Sequence, residues 1–310
     1  MADIVAAACS PLARPVAYSA SGTCTVAAGS SKYDMPCVGF GTYELKDEAA
    51  TTAVKAAVEA GYRHIDSATV YRNGAAVAAG WQAAGVDREQ LWITTKISPR
   101  ELGDKLTRAL EGSAAELAGG TVDLTLLHWP GAAKVAPDAD VLAEKRVDSW
   151  RRLELAVDAG VTKSIGVSNF MPWHLQTILD APETAGILPA VNQIELHPLC
   201  QQREAVQACM DHGIVVQAYS PLARADEALL QCPAVQSIAE TQHASPAAVC
   251  LAWSLARGHV VLPKAASSAH IRANAPSALQ AVELTAEQLA TLDGLNQEKH
   301  VCWDPRNILK

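Results

Sequence analysis

The stretch YRHIDSATVYRN, residues 62–73, decides how the rest of the chain is read. It begins apolar and β-like, turns polar at Asp66, and reaches Tyr71 in the loop beyond. A carboxylate at a strand end and a phenol in the following loop can converge on one mouth. The same letters also fit a buried strand with a structurally bonded tyrosine. Two distant segments separate these readings. Residues 91–96 form a second strand-like run ending in Lys96, and residues 122–128 a third ending in His128, just ahead of Trp129 and Pro130. In a barrel of parallel strands all such ends lie on one face, where catalytic groups collect. Asp66, Tyr71, Lys96 and His128 are therefore expected to share that face.

Outward from this stretch, strand and helix signals alternate along the chain. Strand-like runs at 37–42, 63–66, 91–96, 122–128, 163–168, 191–194, 214–219 and 260–262 are separated by apolar residues at helical spacing, several of these stretches stopped by glycine (Gly61, Gly85, Gly119, Gly213). Eight strand–helix units without a break in composition predict an α/β fold, a (β/α)8 TIM barrel. Residues 23–27 and 32–35 flank AGSS and predict a short N-terminal β-hairpin, while residues 300–310, with Trp303, Asp304 and Pro305, predict an irregular C-terminal tail. A doubly wound sheet is the alternative, but its GxGxxG phosphate turn is missing: Gly39 and Gly41 have no third glycine in place. The domain reading is a single barrel domain over residues 23–310 after a disordered tail, residues 1–22, rich in Ala and Ser. That tail also weakly resembles an organelle transit peptide, although Arg14 is its only basic residue and Asp3 sits where a signal peptide wants positive charge.

Composition bounds the function. The chain has 310 residues, 33 of them acidic against 25 basic, for a net charge of −8. That balance disfavours nucleic acid and acidic membrane surfaces as partners. Hydrophobic residues make up 49% and only 2 are Phe, so Ala, Leu, Val and Ile must fill a large core. No apolar run approaches the roughly 18 residues of a membrane span. A cytoplasmic protein with no obligate protein partner is expected. The 8 cysteines form no CxxC pair and no Cys/His cluster at zinc spacing, which predicts reduced thiols and no metal.

With these residues in view, the sequence resembles the aldo-keto reductases from about Met35 onward. The resemblance rests on GFGTY (39–43), GYRHIDSA (61–68), YRN (71–73), ITTK (93–96), VDLTLLHWP (122–130), IGVSNF (165–170), VNQIELHP (191–198), QAYSPL (217–222) and LPK (262–264), in order and at sensible spacing. It implies an NAD(P)H-dependent reductase of small-molecule aldehydes or ketones, with NADPH preferred and NADH possible. The implied catalytic set is Asp66, Tyr71, Lys96 and His128. In it, Tyr71 supplies the proton, Lys96 lowers the pKa of the phenol, Asp66 holds Lys96, and His128 donates to the carbonyl oxygen.

For the cofactor, the resemblance implies Ser168, Asn169 and Gln193 at the nicotinamide amide, with Asp66 beside them, and Tyr219 against the ring. Ser220 and Leu222 fall at the pyrophosphate, Gly41 and Thr42 in the first loop, and Lys264, Ser267, His270 and Asn274 at the adenosine end. For the substrate it implies Tyr43, Ser98, His128 and Trp129. Each residue alone also has a structural reading as cap, buried amide or core ring. The chain departs from the family at KAASSAHIRAN (264–274), where many members read KSxxxxRxxxN: Ala265 replaces the serine and His270 the phosphate-binding arginine. Ser98 stands where many members carry a further aromatic, and the loop at residues 223–231 is short, so a wider pocket is expected. The alternative function is a regulatory barrel that holds nucleotide with little turnover.

Overall fold

The computed structural model describes residues 22–29 and 31–309. The expected tail, with its transit-peptide resemblance, lies outside the described residues apart from Gly22. Strands β1 (Thr23–Ala28) and β2 (Ser31–Pro36) form the expected antiparallel hairpin, with Thr23 opposite Pro36 and Ala28 opposite Ser31. Eight parallel strands follow: β3 (Phe40–Gly41), β4 (His64–Asp66), β5 (Trp92–Ile97), β6 (Val122–Leu127), β7 (Thr162–Ser168), β8 (Val191–Glu195), β9 (Val215–Tyr219) and β10 (Val260–Leu262). They lie side by side in sequence order. The last meets the first: Val38 bridges Val261 in parallel, the Val261 N–H donates to the Cys37 carbonyl at 2.9 Å, and the Gly39 N–H donates to the Val261 carbonyl at 2.8 Å. The sheet thus closes into the (β/α)8 barrel that the alternation predicts.

Burial on both faces explains why the strands read as continuous apolar runs. All residues of β5 and β6 are buried. The helices between strands bury one stripe each; Asp47–Glu59 turns Ala50, Ala53, Val54, Ala57 and Val58 inward. The expected strand at 37–42 is shorter than read, because ladder pairing there is confined to Val38 and Phe40–Gly41. Three helices escaped the sequence reading: Glu227–Leu230, Pro233–Thr241 and Pro276–Leu279. Two of them open with proline at the first helical position, a start signal that a short following run did not reinforce.

The hairpin closes the N-terminal end of the barrel. Cys24, Val26 and Met35 share a buried cluster with Trp92, Val191, Val215 and Val260, the first residues of β5, β8, β9 and β10. Access to the interior is therefore from the C-terminal ends of the strands. No helix among the described residues is long and apolar enough to cross a membrane. No disulfide joins the described cysteines.

Candidate active site

Neighbouring strand ends deliver the four residues singled out first. Asp66 ends β4, Lys96 is the penultimate residue of β5, His128 follows β6 directly, and Tyr71 closes the single turn Thr69–Tyr71. Lys96 Nζ donates to Asp66 Oδ2 at 2.5 Å and to the Ser67 carbonyl at 2.9 Å, and it stands 3.4 Å from the Tyr71 hydroxyl. All three ammonium protons are thus directed. Lys96 is only 1% exposed, and an unpaired charge at that depth would cost several kcal/mol. The Tyr71 ring lies 5.1 Å from the Tyr43 ring and 6.0 Å from that of His128, edge-on at 74°.

Electrostatics correct one expectation. Burial, reinforced by the Asp66 charge, pushes the Tyr71 phenol well above its ordinary value. The lowering expected from Lys96 does not prevail, because the ammonium is paired with Asp66 and the phenol faces an ion pair rather than a free cation. Tyr71 at rest is therefore a protonated phenol. Burial also holds Lys96 below the usual ammonium value, with Asp66 opposing the shift. His128 is driven down to about 3 by burial and by the Lys96 charge, which leaves a neutral imidazole. Its Nδ1 is buried without a hydrogen-bond partner.

The expected nicotinamide positions form a network with this group. Gln193 Nε2 donates to Asp66 Oδ1 at 2.8 Å and to Gln217 Oε1 at 2.9 Å. Ser168 Oγ donates to the Gln193 carbonyl at 2.8 Å. Asn169 has φ 65°, a left-handed conformation uncommon outside glycine. It donates through Nδ2 to the His128 carbonyl at 2.9 Å and accepts from the Tyr219 hydroxyl at 2.8 Å. Thr42 is buried, and both its N–H and its hydroxyl donate to the Asp66 carbonyl, at 3.1 and 2.9 Å. Gly41 approaches the Leu262 carbonyl so closely that a Cβ would lie 3.2 Å from it. Ser220 and Leu222 begin the segment after β9, where the Ser220 carbonyl accepts from the Ala223 N–H at 2.8 Å.

Lys264, Ser267, His270 and Asn274 sit apart, on the segment after β10. The first three are exposed and Asn274 is buried. Ser267 caps the helix Ser268–Ala273 by accepting from the His270 N–H at 3.3 Å, and the Asn274 N–H donates to the His270 carbonyl at 3.1 Å. A Cβ on Gly41 would lie 3.6 Å from Lys264 Cβ, which marks where this segment meets the first loop.

At the mouth, Tyr43 is half exposed, and Trp129 meets Trp303 edge-on at 6.2 Å. Ser98 is buried and closes a turn, its Oγ accepting from the Arg100 N–H at 3.3 Å. Sequence reading left Trp303 in an irregular tail and missed Gln217, Cys302 and Arg224. Cys302 Sγ is 3.5 Å from Ser220 Oγ, and Arg224 pairs with Glu44 at 3.1 Å beside the Tyr43 ring. Their partners lie far away in the chain, so no local pattern points to them. A cavity of about 640 Å³ lies behind the site, lined by Ser67, Thr69, Arg72, Glu101, Arg108 and Glu116 among others. Tyr71, Lys96, Asp66 and His128 are not among its lining residues.

A TIM barrel with Asp, Tyr, Lys and His gathered at the C-terminal ends of its strands is the scaffold of a barrel oxidoreductase, and comparison with known proteins agrees. The sequence pattern of the aldo/keto reductase family matches residues 37–297. An aldo-keto reductase of Mycolicibacterium vanbaalenii is 42% identical over 272 residues, covering 87% of this chain and 92% of that protein. The glycerol 2-dehydrogenase (NADP(+)) of Saccharomyces cerevisiae is 34% identical over 301 residues, covering 89% and 94%. The crystal structure of an aldo/keto reductase from Brucella melitensis superposes with a TM-score of 0.79 at 32% identity, covering 88% of this chain and 99% of that one. The chain belongs to the aldo/keto reductase family. Its activity is carbonyl reduction with a nicotinamide cofactor.

Proposed function

We propose that the chain reduces small aldehydes or ketones to alcohols with NADPH, and that Tyr71 gives the proton. The observation that carries this reading is the buried Lys96 ammonium, 2.5 Å from Asp66 and 3.4 Å from the Tyr71 hydroxyl. A nicotinamide dinucleotide fits the residues present. Gly41 leaves room beside the Leu262 carbonyl, and the amide and hydroxyl groups of Ser168, Asn169 and Gln193 converge next to Asp66 and Tyr219. When bound, the cofactor supplies the hydride. The protein supplies proton and geometry. Neutral His128 donates one hydrogen bond to the carbonyl oxygen and orients it toward Tyr71. As negative charge gathers on that oxygen, Tyr71 passes it the phenolic proton. The phenolate left behind is stabilised by the adjacent ammonium, and Asp66 keeps Lys96 charged and in place. Tyr71 then regains a proton from solvent. A regulatory barrel without turnover has less support, because each of the four groups is present and in contact.

Tyr71→Phe is expected to lower turnover with a generic aromatic aldehyde by about 10²–10⁴-fold while leaving NADPH affinity within about twofold. Near-wild-type turnover in this variant removes Tyr71 from the mechanism.

The choice of NADPH rests on Lys264 and Ser267, exposed where a 2′-phosphate would need charge and donors, and on the NADP(+) named for the yeast relative. His270 stands in place of a fixed, bidentate guanidinium, which holds a phosphate better than an imidazole does. His270→Arg should therefore raise the NADPH-over-NADH ratio of kcat/KM. A ratio unmoved by His270→Arg places this histidine away from the phosphate.

A further inference from the structure

Glu195, the last residue of β8, is a buried carboxylate on the rim of the barrel. It accepts from His197 Nε2 at 3.1 Å and from His300 Nδ1 at 3.0 Å, and from the backbone N–H groups of Val301 and Cys302 at 2.7 and 3.2 Å. These bonds fix the His300 ring. With Nδ1 held, Nε2 is the nitrogen left over. It has no hydrogen-bond partner although the side chain is only 8% exposed, and the carboxylate of Asp304 stands 3.9 Å away. Cys200 and Glu298 come to the same place from other segments: one ligand atom from each of Cys200, Glu298 and His300 lies within 4.8 Å of the others. Cys200 is a fully buried free thiol.

We propose that Cys200, Glu298 and His300 form a site for a thiophilic divalent cation of the zinc class, which staples the C-terminal segment to the rim of the barrel. A thiolate, an imidazole and a carboxylate suit a borderline-soft ion, whereas calcium and magnesium take oxygen ligands. Three protein ligands leave the fourth tetrahedral position to water. Metal–ligand bonds of about 2.0–2.3 Å place tetrahedral ligand atoms about 3.5 Å apart. The three ligand atoms lie within 4.8 Å of one another, and Glu298, half-buried on a flexible stem, is the ligand that would close the remaining distance. Glu195 on Nδ1 is the outer carboxylate that orients a metal-bound histidine. The nearby cation, Arg306, is engaged by Asp304 at 2.7 Å. On binding, the Cys200 S–H bond breaks, a metal–sulfur bond forms, and the proton leaves to solvent. Sequence spacing hides the site, because Cys200 and His300 are far apart in the chain. The staple bears on the substrate pocket: the same segment places Cys302 beside Ser220 and Trp303 against Trp129.

The test uses the full chain, stripped with chelator and titrated with Co²⁺ and then Zn²⁺. One Co²⁺ per chain is expected, with a thiolate-to-cobalt charge-transfer band in the near ultraviolet that Zn²⁺ removes. Cys200→Ala should abolish the band, His300→Gln and Glu298→Gln should each weaken binding by at least about tenfold, and Cys232→Ala should change nothing. Uptake below stoichiometry overturns the proposal and leaves His300 as an imidazolium held between Glu195 and Asp304. A band that survives Cys200→Ala does the same. If Cys200→Ala does not fold, unchanged affinity in both rim variants is decisive against the site.

Discussion

A buried ammonium and a buried carboxylate depend on each other, so the Lys96–Asp66 pair couples rate to stability. Lys96→Met removes the charge next to the phenolate and should lower turnover by about 10²–10⁴-fold, as loss of a positioned acid–base group does. Asp66→Asn acts on the phenol only through Lys96, so its loss of rate should be smaller. Both variants strand one charge of a pair whose members are 1% and 6% exposed in their side chains. Each should therefore lose about 3–5 kcal/mol of stability. Denaturant unfolding beside steady-state turnover checks both statements; Asp66→Asn slower than Lys96→Met would reverse the assigned hierarchy. These residues were legible in the sequence because each ends an apolar run with a titratable group. The direction of the Tyr71 shift was not, because it depends on how deeply the phenol is buried and on Asp66 already holding Lys96.

Strands and helices were legible wherever periodicity ran long, and the eight barrel strands fall within a few residues of their expected places. What could not be read is where elements touch. Gly166, in the middle of β7, looks like a tolerated interruption of a strand. In the fold it is a contact point: an added Cβ would lie 2.5 Å from the Val191 carbonyl and 2.8 Å from Leu126 Cδ2. The backbone carbonyl cannot give way as a side chain could. Gly166→Ala should therefore cost about 1–3 kcal/mol and lower Tm, with activity at low temperature retained because Ser168 and Asn169 lie beyond the distortion. A Tm within a degree of wild type contradicts so tight an approach between β7 and β8. Asn73, in the loop after β4, ties elements together as well. It donates to the Thr42 and Leu45 carbonyls, both at 2.9 Å, and accepts from Ser67 Oγ at 3.2 Å, fastening the loops after β3 and β4 to each other. Nothing in its sequence context distinguishes that task from a helix cap.

For the molecule as a whole, buried neutral histidines set the response to acid. Burial lowers His128 to about 3 and His174 and His259 to about 4 from an ordinary 6.5, and it lowers His64 as well. In each case the folded value lies below the unfolded one, so between the two the unfolded chain holds a proton that the folded chain does not. Stability therefore falls as pH drops through 6.5 toward those lowered values. His300, raised by Glu195, works the other way near neutrality but is charged in both states by pH 5. Tm should fall steadily from pH 7 to pH 5, with His128, His174 and His259 together taking up about three protons on unfolding at pH 5 and His64 adding in the same direction. Glu195, held at about 2 by its histidine and backbone donors, adds its own loss only below the usual carboxylate range. A Tm unchanged from pH 7 to pH 5 is the contrary result. Finally, the seam between Cys37, Gly39 and Val261 has a consequence for the timing of synthesis. A ribosome makes the first barrel strand early and its partner β10 near the end of the chain. Until β10 emerges, the growing polypeptide carries an open β edge at β3 and a floor, the β1–β2 hairpin, with one wall missing. Such edges invite pairing with other chains, so the nascent protein is most exposed to aggregation, and most in need of a chaperone, just before its last strand is made.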